Sequence, residues 1–386
     1  MIAFNQQIAD ATNLIAIPED PFDAFHRKPA EKPSSDPRFT VRQALESDFE
    51  GIYRCVDEAF GKVRPREAYN WLYRKNPYGR ALAWIVEDNA TKEIVKTGAK
   101  YPWPIWRGSE PVPGAVSGDS ATVPKWQRSG LSSVRRDVRY SHESHGKVCS
   151  ISGPNEGSRT VSNKAGQADQ ILGRLKGGLF MLDARILLDD HTPRIPGFAR
   201  SITAFSVNKL HSLWPKPILR KQTHTSYQLD NIALFSSDLD AVTLSTMAFH
   251  GYWCPHNSEF LNWRYLQHPL ETYEAFVLHK NDTPVAYSVL RMGGTQVTLS
   301  EFAAPVNDPD IAGELLRHNI DVARQAGAGY VNFFGPPAWP HWELFKKAGM
   351  LPYRTNNWFE ASYPEDPEGA LDFNNWQVTP GDRDYH

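Results

Sequence analysis

The sequence predicts two tandem α/β domains, each with a mixed, mostly antiparallel sheet flanked by helices. Three observations support this fold class. The element Asn-Trp-x-Tyr-x-x-x-Pro occurs at Asn70 and again at Asn262. Around both copies, β-like and helical runs follow one another in the same order. Further matching residues on either side of the two elements keep a nearly constant separation.

The separation between matching residues distinguishes a duplicated domain from a short repeat. The pairs and their separations are Asp48 and Asp238 (190), Asn70 and Asn262 (192), Pro154 and Pro336 (182), and Lys164 and Lys347 (183). Loops of different length explain the small drift. Solenoid repeats have periods of about 20 to 50 residues, so this spacing predicts a domain-sized duplication.

Each predicted domain opens with a short strand and a helix, followed by a hairpin. The runs "ALESDFEGIYRCVDEAFG" and "ALFSSDLDAVTLSTMAFHG" both contain Ser-Asp, which can cap a helix, and apolar residues about one turn apart. The Asn-Trp-x-Tyr elements follow as helix ends, and we expect their tryptophans to be core anchors. The runs "LAWIVEDNATKEIVKTGAK" and "YEAFVLHKNDTPVAYSVLRM" then predict one hairpin in each copy.

The rest of the first domain alternates strands and helices. The stretch "YPWPIWRG" predicts a hairpin with half-buried aromatic residues, although its rings could instead line an acceptor groove. A strand at residues 114–124 leads through a loop into the helix "LSSVRRDVRYSHESHG". The run "KVCSISGPN" is then a buried strand ending in a Gly-Pro turn. This order predicts a sheet that is antiparallel at first and parallel across the helix.

The loop "VPKWQRSGLSS" at residues 123–133 is the strongest candidate binding site in the sequence. A glycine-containing turn that opens a helix leaves backbone N–H groups unpaired at the positive end of the helix dipole, which suits a diphosphate. Gly130 allows close backbone approach, Ser132 is small, and Arg128 supplies a cation. The alternative is an ordinary loop before an ordinary helix.

Composition excludes several classes of function. The 386 residues suffice for two domains, and 42 basic residues nearly balance 44 acidic ones, so no global field favours nucleic acid or an acidic membrane. Cys55, Cys149 and Cys254 lack CxxC spacing, which argues against disulfides and zinc. We expect no metal. The start lacks a signal peptide and no window resembles a membrane span, so we expect a soluble, cytoplasmic protein.

The predicted domain boundaries follow from the repeat and from shifts in composition. They are an N-terminal extension and linker (1–36), the first domain with the loop (37–185), a connector (186–224), the second domain (225–362) and a polar tail (363–386). The linker "RKPAEKPSSDP" and the acidic tail both predict disorder. The run "GLFMLDARILL" predicts a last strand or helix of the first domain.

The pattern Val123-Pro124-x-x-Gln127-x-x-Gly130-x-Ser132 resembles the acyl-CoA loop of the GCN5-related N-acetyltransferases (GNATs). The order of elements in both copies is also similar to that fold. The resemblance implies two tandem GNAT-like domains, with acetyl-CoA or another acyl-CoA as the donor. The implied cofactor-binding residues are Ala121, Thr122, Val123, Gln127, Arg128, Ser129, Gly130, Leu131, Ser132, Ser133 and Asn155.

The mechanism that the resemblance implies is direct attack of an amine on the acyl thioester. The amine must lose a proton, so a carboxylate or a water that it orients serves as base. Asp119 and Glu156 are the two candidates, and either could instead be a capping or ion-paired surface residue. Many GNATs protonate the thiolate with a tyrosine four residues before the glycine that ends the last helix. Ser162 stands at that position here, so the sequence does not identify the acid.

The second copy departs from the loop pattern. Aligning Pro124 with Pro305 places Asp308 where the first copy has Gln127, and Ile311 where it has Gly130. Asp308 and the nearby Asp310 would repel a diphosphate, and the proline between them removes an N–H donor. We therefore expect that the second copy no longer binds CoA and packs against the first as a wall of the acceptor cleft.

Three functions remain open at this stage. The first is an acyl-CoA-dependent N-acyltransferase, most simply an acetyltransferase, acting on a small amine such as an amino sugar or amino-acid-like metabolite. The second is an aminoacyltransferase of the Fem type, which uses charged tRNA. The third is a non-catalytic acyl-CoA sensor or scaffold. We expect a small-molecule amine acceptor, no nucleic acid, no membrane insertion, and a monomer or homodimer.

Overall fold

The computed structural model describes most of the chain. The described residues are 21–27, 29, 31–32, 34, 36–131, 148–164, 170–192, 194–213, 219, 227–246 and 251–383. Most of the N-terminal extension and nearly all of the predicted helix "LSSVRRDVRYSHESHG" lie outside them, as do Ser132 and Ser133 of the candidate loop.

The described residues include seventeen strands. They are β1 (Glu31–Lys32), β2 (Phe39–Gln43), β3 (Leu82–Asp88), β4 (Ile94–Pro102), β5 (Ile105–Arg107), β6 (Glu110–Val112), β7 (Gly114–Thr122), β8 (Cys149–Ser152), β9 (Ile171–Met181), β10 (Tyr227–Ile232), β11 (Tyr252–Trp253), β12 (Tyr273–Lys280), β13 (Thr283–Gly293), β14 (Gln296–Ala303), β15 (Tyr330–Gly335), β16 (Leu351–Ser362) and β17 (Trp376–Gln377).

Helices flank these strands. The α-helices are α1 (Asp23–Arg27), α2 (Phe49–Phe60), α3 (Arg66–Tyr73), α4 (Glu156–Lys164), α5 (Ala184–His191), α6 (Gly197–Leu213), α7 (Asp240–Ser245), α8 (Ser258–Leu261), α9 (Pro309–Gln325), α10 (Trp342–Lys347) and α11 (Pro367–Leu371). Short 3₁₀ turns occupy Glu46–Asp48, Pro124–Trp126, Ser237–Leu239 and Phe373–Asn375, and a π-helical turn occupies Asn262–Leu266.

One continuous sheet contains thirteen of the described strands. Their order is β1-β2-β3-β4-β7-β8-β16-β9-β15-β14-β13-β12-β10. Two neighbouring pairs, β7–β8 and β14–β15, are parallel, and the other neighbours are antiparallel. The mixed, mostly antiparallel α/β fold predicted from the sequence is confirmed. The hairpins β3–β4 and β12–β13 also lie where the sequence predicts them.

The centre of the sheet joins the two halves of the chain. β9, from the first half, pairs with β15 and β16 of the second half, and β16 in turn pairs with β8 of the first. Each half therefore places its last long strand beside the other half's strands. The run "GLFMLDARILL" contributes both the end of β9 and most of α5, so the two predicted alternatives are both present. The exchange leaves no open strand edge between the halves.

The two Asn-Trp-x-Tyr elements contact one another. The rings of Trp71, in α3, and Trp263, in the π-helical turn, stack with centroids 4.7 Å apart. The Trp71 indole N–H donates to the carbonyl oxygen of Trp263 at 2.9 Å, and the Trp263 indole N–H donates to that of Trp71 at 3.2 Å. Both tryptophans are buried, as predicted for core anchors. The reciprocal contact has the form of a two-fold interface.

Two expectations from composition are wrong. The aromatic residues of "YPWPIWRG" are fully buried rather than half-buried, so their faces are not available to line an acceptor groove. The acidic tail is ordered from residue 363 to 383 and contributes to the core. Trp376 stacks on Tyr252 with ring centroids 4.7 Å apart, and Val378 and Asp382 are also buried. The tail is polar in its overall composition, but a few apolar side chains fix it to the core, because buried aromatic side chains contribute much of the packing energy.

Candidate functional site

The parallel strands β7 and β8 separate part of the way along their length. They are paired at three positions, Gly114 with Cys149, Ala115 with Ser150 and Val116 with Ile151. β7 then continues to Thr122, paired with β4 on its other side, whereas β8 ends at Ser152. Among the residues that the structure describes, no strand pairs with β7 on this side beyond Val116, which leaves a gap between the two strands. Such an edge can pair with an extended, amide-containing ligand as another strand would.

The last residues of β7 show which backbone groups face the gap. The N–H of Val123 donates to the carbonyl of Val95 on the β4 side at 3.0 Å. Successive residues of a strand direct their backbone groups to opposite sides, so those of Thr122 face the gap. The Gln127 side-chain amide donates to the Thr122 carbonyl oxygen at 3.2 Å. Gln127, from the predicted loop, thus lies against the predicted cofactor-binding strand.

The loop at residues 127–130 is exposed and held at both ends. Trp126 packs edge-on against Phe39 before the loop, and Leu131 is buried in the core after it. Between these anchors Arg128 has φ +65° and Gly130 has φ +84°. A Cβ added at Gly130 would meet no atom within 4 Å. Left-handed residues in such a turn orient successive N–H groups toward one side, which is a common form of anion site.

A β-bulge in β7 places Asp119 toward the helices α2 and α3. The register of β7 against β4 shifts between Thr97 and Ala99, which leaves Asp119 and Ser120 opposite a single residue of β4. Asp119 has φ +44°, an unusual conformation for a residue other than glycine. Bulges of this kind redirect side chains and are frequent beside active sites.

The Asp119 carboxylate accepts four hydrogen bonds and is only 8% exposed. Arg64 donates to both oxygens, at 3.0 and 3.1 Å, in a bidentate ion pair. Tyr73 and Tyr101 donate to Oδ2 at 3.1 and 2.9 Å. The ion pair that the sequence left open as an alternative is therefore present, although it is buried rather than at the surface. The role of Asp119 as a base stays a prediction.

Two tyrosines in this cluster remain protonated over the ordinary pH range. Burial, followed by the negative charge of Asp119, raises the pKa of Tyr73 well above its usual value, and the same two causes raise that of Tyr101. Both hydroxyls are therefore permanent donors to the carboxylate. Arg64 and Tyr101 were not identified from the sequence as partners of Asp119. The sequence contained one usable signal for Tyr73, which is the tyrosine of the repeated element.

The second half of the chain has a similar cluster. Tyr265, the tyrosine of the second repeated element, donates to Oε1 of Glu301 in β14, beside a bulge in the pairing with β13. His256 lies 192 positions after Arg64 and contacts the same Oε1 through Nδ1 at 2.8 Å. In both halves, the tyrosine of the repeated element thus binds a carboxylate at a bulge.

Asn155 and Glu156 lie just beyond the end of β8. The Asn155 Oδ1 accepts from the backbone N–H of Ser158 at 2.8 Å and so caps α4. Glu156 is exposed in the first turn of that helix, where a negative charge is favourable. Both residues therefore share the carboxyl edge of β7 and β8 with the loop, which is where α/β proteins commonly bind ligands. Ser162 lies further along α4.

In the second half of the chain, His341 contacts the corresponding end of β14. β14 and β15 are paired at three positions, the last being Thr298 with Asn332, and β14 continues to Ala303. Next to that end, the His341 Nε2 contacts the Ala304 carbonyl oxygen at 3.2 Å, and its ring packs against Phe302. Burial lowers the pKa of His341 to about 4, so the ring is neutral at physiological pH.

The N-terminus of α9, the helix that follows β14, is capped by the side chain of Asp308. The Asp308 carboxylate accepts from the N–H of Ile311 at 3.1 Å, and Pro309 is the first residue of α9. Ile311, which aligns with Gly130, is buried. The N–H that aligns with that of Gly130 is therefore bonded to a carboxylate, and negative charge occupies the position that a diphosphate would need.

A metal site and a reactive cysteine each set requirements for the described part of the chain. There, no group of three or more His, Cys, Asp or Glu residues is arranged to hold a metal ion. Cys55, Cys149 and Cys254 are buried and unpaired with one another, and burial raises the pKa of each thiol. No described helix is long and apolar enough to cross a membrane.

Similar solved structures share this architecture. A conserved protein of unknown function from Enterococcus faecalis V583, described as a probable N-acyltransferase, superposes with a TM-score of 0.59 at 11% identity, over 84% of this chain and 72% of that one. A GCN5-related N-acetyltransferase from Anabaena variabilis gives 0.58 at 11% identity, over 84% and 73%. One from Kribbella flavida gives 0.53 at 13% identity, over 86% and 72%.

Sequence comparison adds nothing to this likeness, since no protein-family model and no curated protein matches the chain. The likeness rests on the arrangement of strands and helices over most of the chain. The chain therefore has the fold of the GCN5-related N-acetyltransferases.

Proposed function

We propose that this protein is an acyl-CoA-dependent N-acyltransferase that transfers an acyl group, most simply acetyl, to the amine of a small metabolite. The observation behind the proposal is the gap between β7 and β8, with an exposed loop at residues 127–130 beside its open end. The second copy has its own groups in the corresponding place. The donor site is therefore assigned to the first copy.

The residues of the first copy fit an acyl-CoA donor. Amide groups of a pantetheine arm match the backbone of Thr122 on the open edge of β7, once Gln127 releases its carbonyl. A Cβ added at Gly130 would meet no atom within 4 Å, which leaves room for a diphosphate on that side of the residue. Arg128 is exposed in the same loop and supplies a positive charge. Asn155, at the end of β8, faces the same edge of the sheet.

Acyl transfer in this site needs three functions from the chain. The amine nitrogen attacks the thioester carbonyl carbon, a C–N bond forms, and the C–S bond breaks. A base takes the proton of the amine, and the leaving thiolate takes a proton from water or a protein group. Backbone N–H groups near the bulge of β7 are suited to hold the carbonyl oxygen as negative charge develops on it.

Glu156 is the better placed of the two candidate bases. It is exposed at the start of α4, beside the end of β8, where an acceptor amine can reach it. Asp119 instead has both oxygens engaged by Arg64, Tyr73 and Tyr101. We infer that Asp119 holds the bulge in its unusual conformation and that Glu156, directly or through water, removes the proton.

An amine-library screen for release of free CoA thiol tests this proposal. We expect amine-dependent release with wild type from acetyl-CoA or a longer acyl-CoA, and no release above background with Gly130→Glu. Gly327→Glu is the matched control, because Gly327 also has a positive φ and open space around it but follows α9 in the second copy. The proposal fails if no amine promotes release from any acyl-CoA, or if Gly130→Glu keeps full activity.

Two observations favour a second candidate function, a non-catalytic acyl-CoA sensor. Asp119 is enclosed by donors, and Ser162 stands where many GNATs have the tyrosine acid. A sensor would bind acyl-CoA in the same gap without turnover. Acyl-CoA binding without amine-dependent thiol release, across a broad amine library, would favour the sensor over the enzyme.

A further inference from the structure

Helix α6, in the connector between the halves, is fixed to the body of the protein by one face. Ala204 is buried against α5 in a small apolar cluster with Met181 and Ala184. The Asn208 side chain accepts from the N–H of Ala184 at 2.9 Å and donates to Asp183 at 3.2 Å. These contacts determine which face of α6 points outward.

The outward face of α6 carries a stripe of large apolar side chains. Phe198 is 74% exposed, Ile202 66% and Phe205 71%. Spacings of four and three residues place all three on one line along the helix, roughly opposite Ala204. Single exposed apolar residues are ordinary, but a contiguous stripe of this kind indicates an interaction surface.

The sequence segment that contains this stripe is basic and has no acidic residue. From Arg194 to Leu229 the sequence contains six Lys and Arg residues and no Asp or Glu, although the whole chain has a net charge of −2. Lys209 is exposed one turn after Phe205, on the same line of the helix. Arg200 is paired with Asp189 of α5 at 3.0 Å, so it belongs to the packed face.

We propose that α6 binds the protein to the surface of an anionic lipid bilayer. An apolar stripe with aromatic residues, flanked by basic residues, matches the pattern of helices that lie in the interface between headgroups and acyl chains. The excess of basic over acidic residues in the sequence from 194 to 229 suits a surface of negative charge. The helix lies on the membrane in this arrangement and does not cross it.

A second copy of the chain is a poorer occupant of this face. In a two-fold dimer, the same surface of each subunit faces the other, so Lys209 on the α6 face would be brought toward the α6 face of the other subunit, which carries the same charge. Like charges placed opposite one another across an interface oppose association. Nucleic acid also fits less well, because phosphates make no favourable contact with a stripe of Phe198, Ile202 and Phe205.

Vesicle flotation with the full-length protein tests the proposal. We expect wild type to float with mixed phosphatidylglycerol–phosphatidylcholine vesicles and not with pure phosphatidylcholine vesicles, and added salt to weaken the binding. The triple variant Phe198→Ser, Ile202→Ser, Phe205→Ser should lose at least about tenfold in partitioning. All three side chains are exposed, so the variant should keep its fold, as a melting curve would verify.

The matched control is the triple variant Phe60→Ser, Val63→Ser, Leu234→Ser, which removes exposed apolar residues elsewhere on the surface. It should float like wild type. The proposal is overturned if wild type does not bind anionic vesicles, or if both triple variants bind equally well. It is also overturned if light scattering shows a dimer in solution that the α6 variant converts to monomer, because the face would then be occupied by a second copy.

Discussion

Asp119 and Glu301 occupy matching places at bulges in the two halves, and each is bonded to the tyrosine of a repeated element. Their other partners differ, since Arg64 pairs with Asp119 whereas His256 contacts Glu301. The sequence identified Asp119 as a candidate because of its strand. It could not show the partners, because Arg64 and His256 lie in loops that are more than forty residues away in the chain.

Removing the charge of Asp119 should destabilise the protein. Asp119→Asn leaves the Arg64 guanidinium buried without its carboxylate, and breaking one partner of a buried pair costs about 3–5 kcal/mol. Urea denaturation of wild type and variant measures this loss. A change below about 1 kcal/mol would contradict the structural role that we assign to Asp119.

Glu156→Gln, unlike Asp119→Asn, should leave the stability nearly unchanged and should lower turnover. Glu156 is exposed, so the free energy of unfolding should change by no more than about 0.5 kcal/mol. Loss of a general base typically lowers turnover by about 10²- to 10⁴-fold. Thiol-release kinetics with an accepted amine measure the effect, and a variant with wild-type turnover would show that the base lies elsewhere.

At the scale of elements, local patterns predicted local structure well. The hairpins β3–β4 and β12–β13 and the strand β7 follow from alternation and turn residues that lie within a few positions of each other. The exchange of β9 and β16 did not follow from any such pattern. Both strands are regular, and nothing local to a strand specifies which distant strand it pairs with.

The contributions of Trp71 and Trp263 to the free energy of unfolding should be strongly coupled. Trp71→Ala and Trp263→Ala each remove a buried indole and should lower the free energy of unfolding by about 3–5 kcal/mol. Because the rings stack and exchange hydrogen bonds, the double variant should lose less than the sum of the two. A double-mutant cycle by urea denaturation measures the coupling, and strict additivity would contradict the reciprocal contact.

At the scale of the molecule, the tail from residue 363 to 383 ties the halves together. Asp382 accepts from the Trp103 indole of the first half at 2.9 Å and contacts His256 of the second half at 2.8 Å. The buried Arg264 donates to the carbonyls of Gly381 and Arg383 at 2.9 and 2.8 Å. The acidic composition of the tail did not predict this role, because only a few of its groups bind the two halves and their partners are distant in the sequence.

The His256 cluster makes stability depend on pH. Burial alone would lower the pKa of His256, but Glu301 and Asp382 outweigh it and raise the pKa from 6.5 to about 10. A group whose pKa is raised on folding contributes its full stabilisation below its pKa in the unfolded chain. That stabilisation is lost as the pH rises through its pKa in the folded protein. We expect the stability difference between wild type and His256→Gln to be largest near pH 6.5 and to shrink toward pH 10.

Urea denaturation of both proteins between pH 6.5 and 10 measures this difference. Burial alone would raise the pKa of Asp382, but the charge of His256 outweighs it and the pKa is lowered, so its own contribution is lost only as the pH falls into the acid range. A difference between wild type and His256→Gln that grows with rising pH would contradict a charged His256 in the fold.

The central claim is that the first copy binds an acyl-CoA through the gap between β7 and β8. A thermal-shift titration with acetyl-CoA and longer acyl-CoAs tests it most directly, because a ligand that binds only the native state stabilises it by about 2.7 kcal/mol at a hundred times its Kd. We predict a rise in Tm for wild type and for Gly327→Glu, and none for Gly130→Glu. No shift with any acyl-CoA, or an equal shift in all three proteins, would contradict the claim.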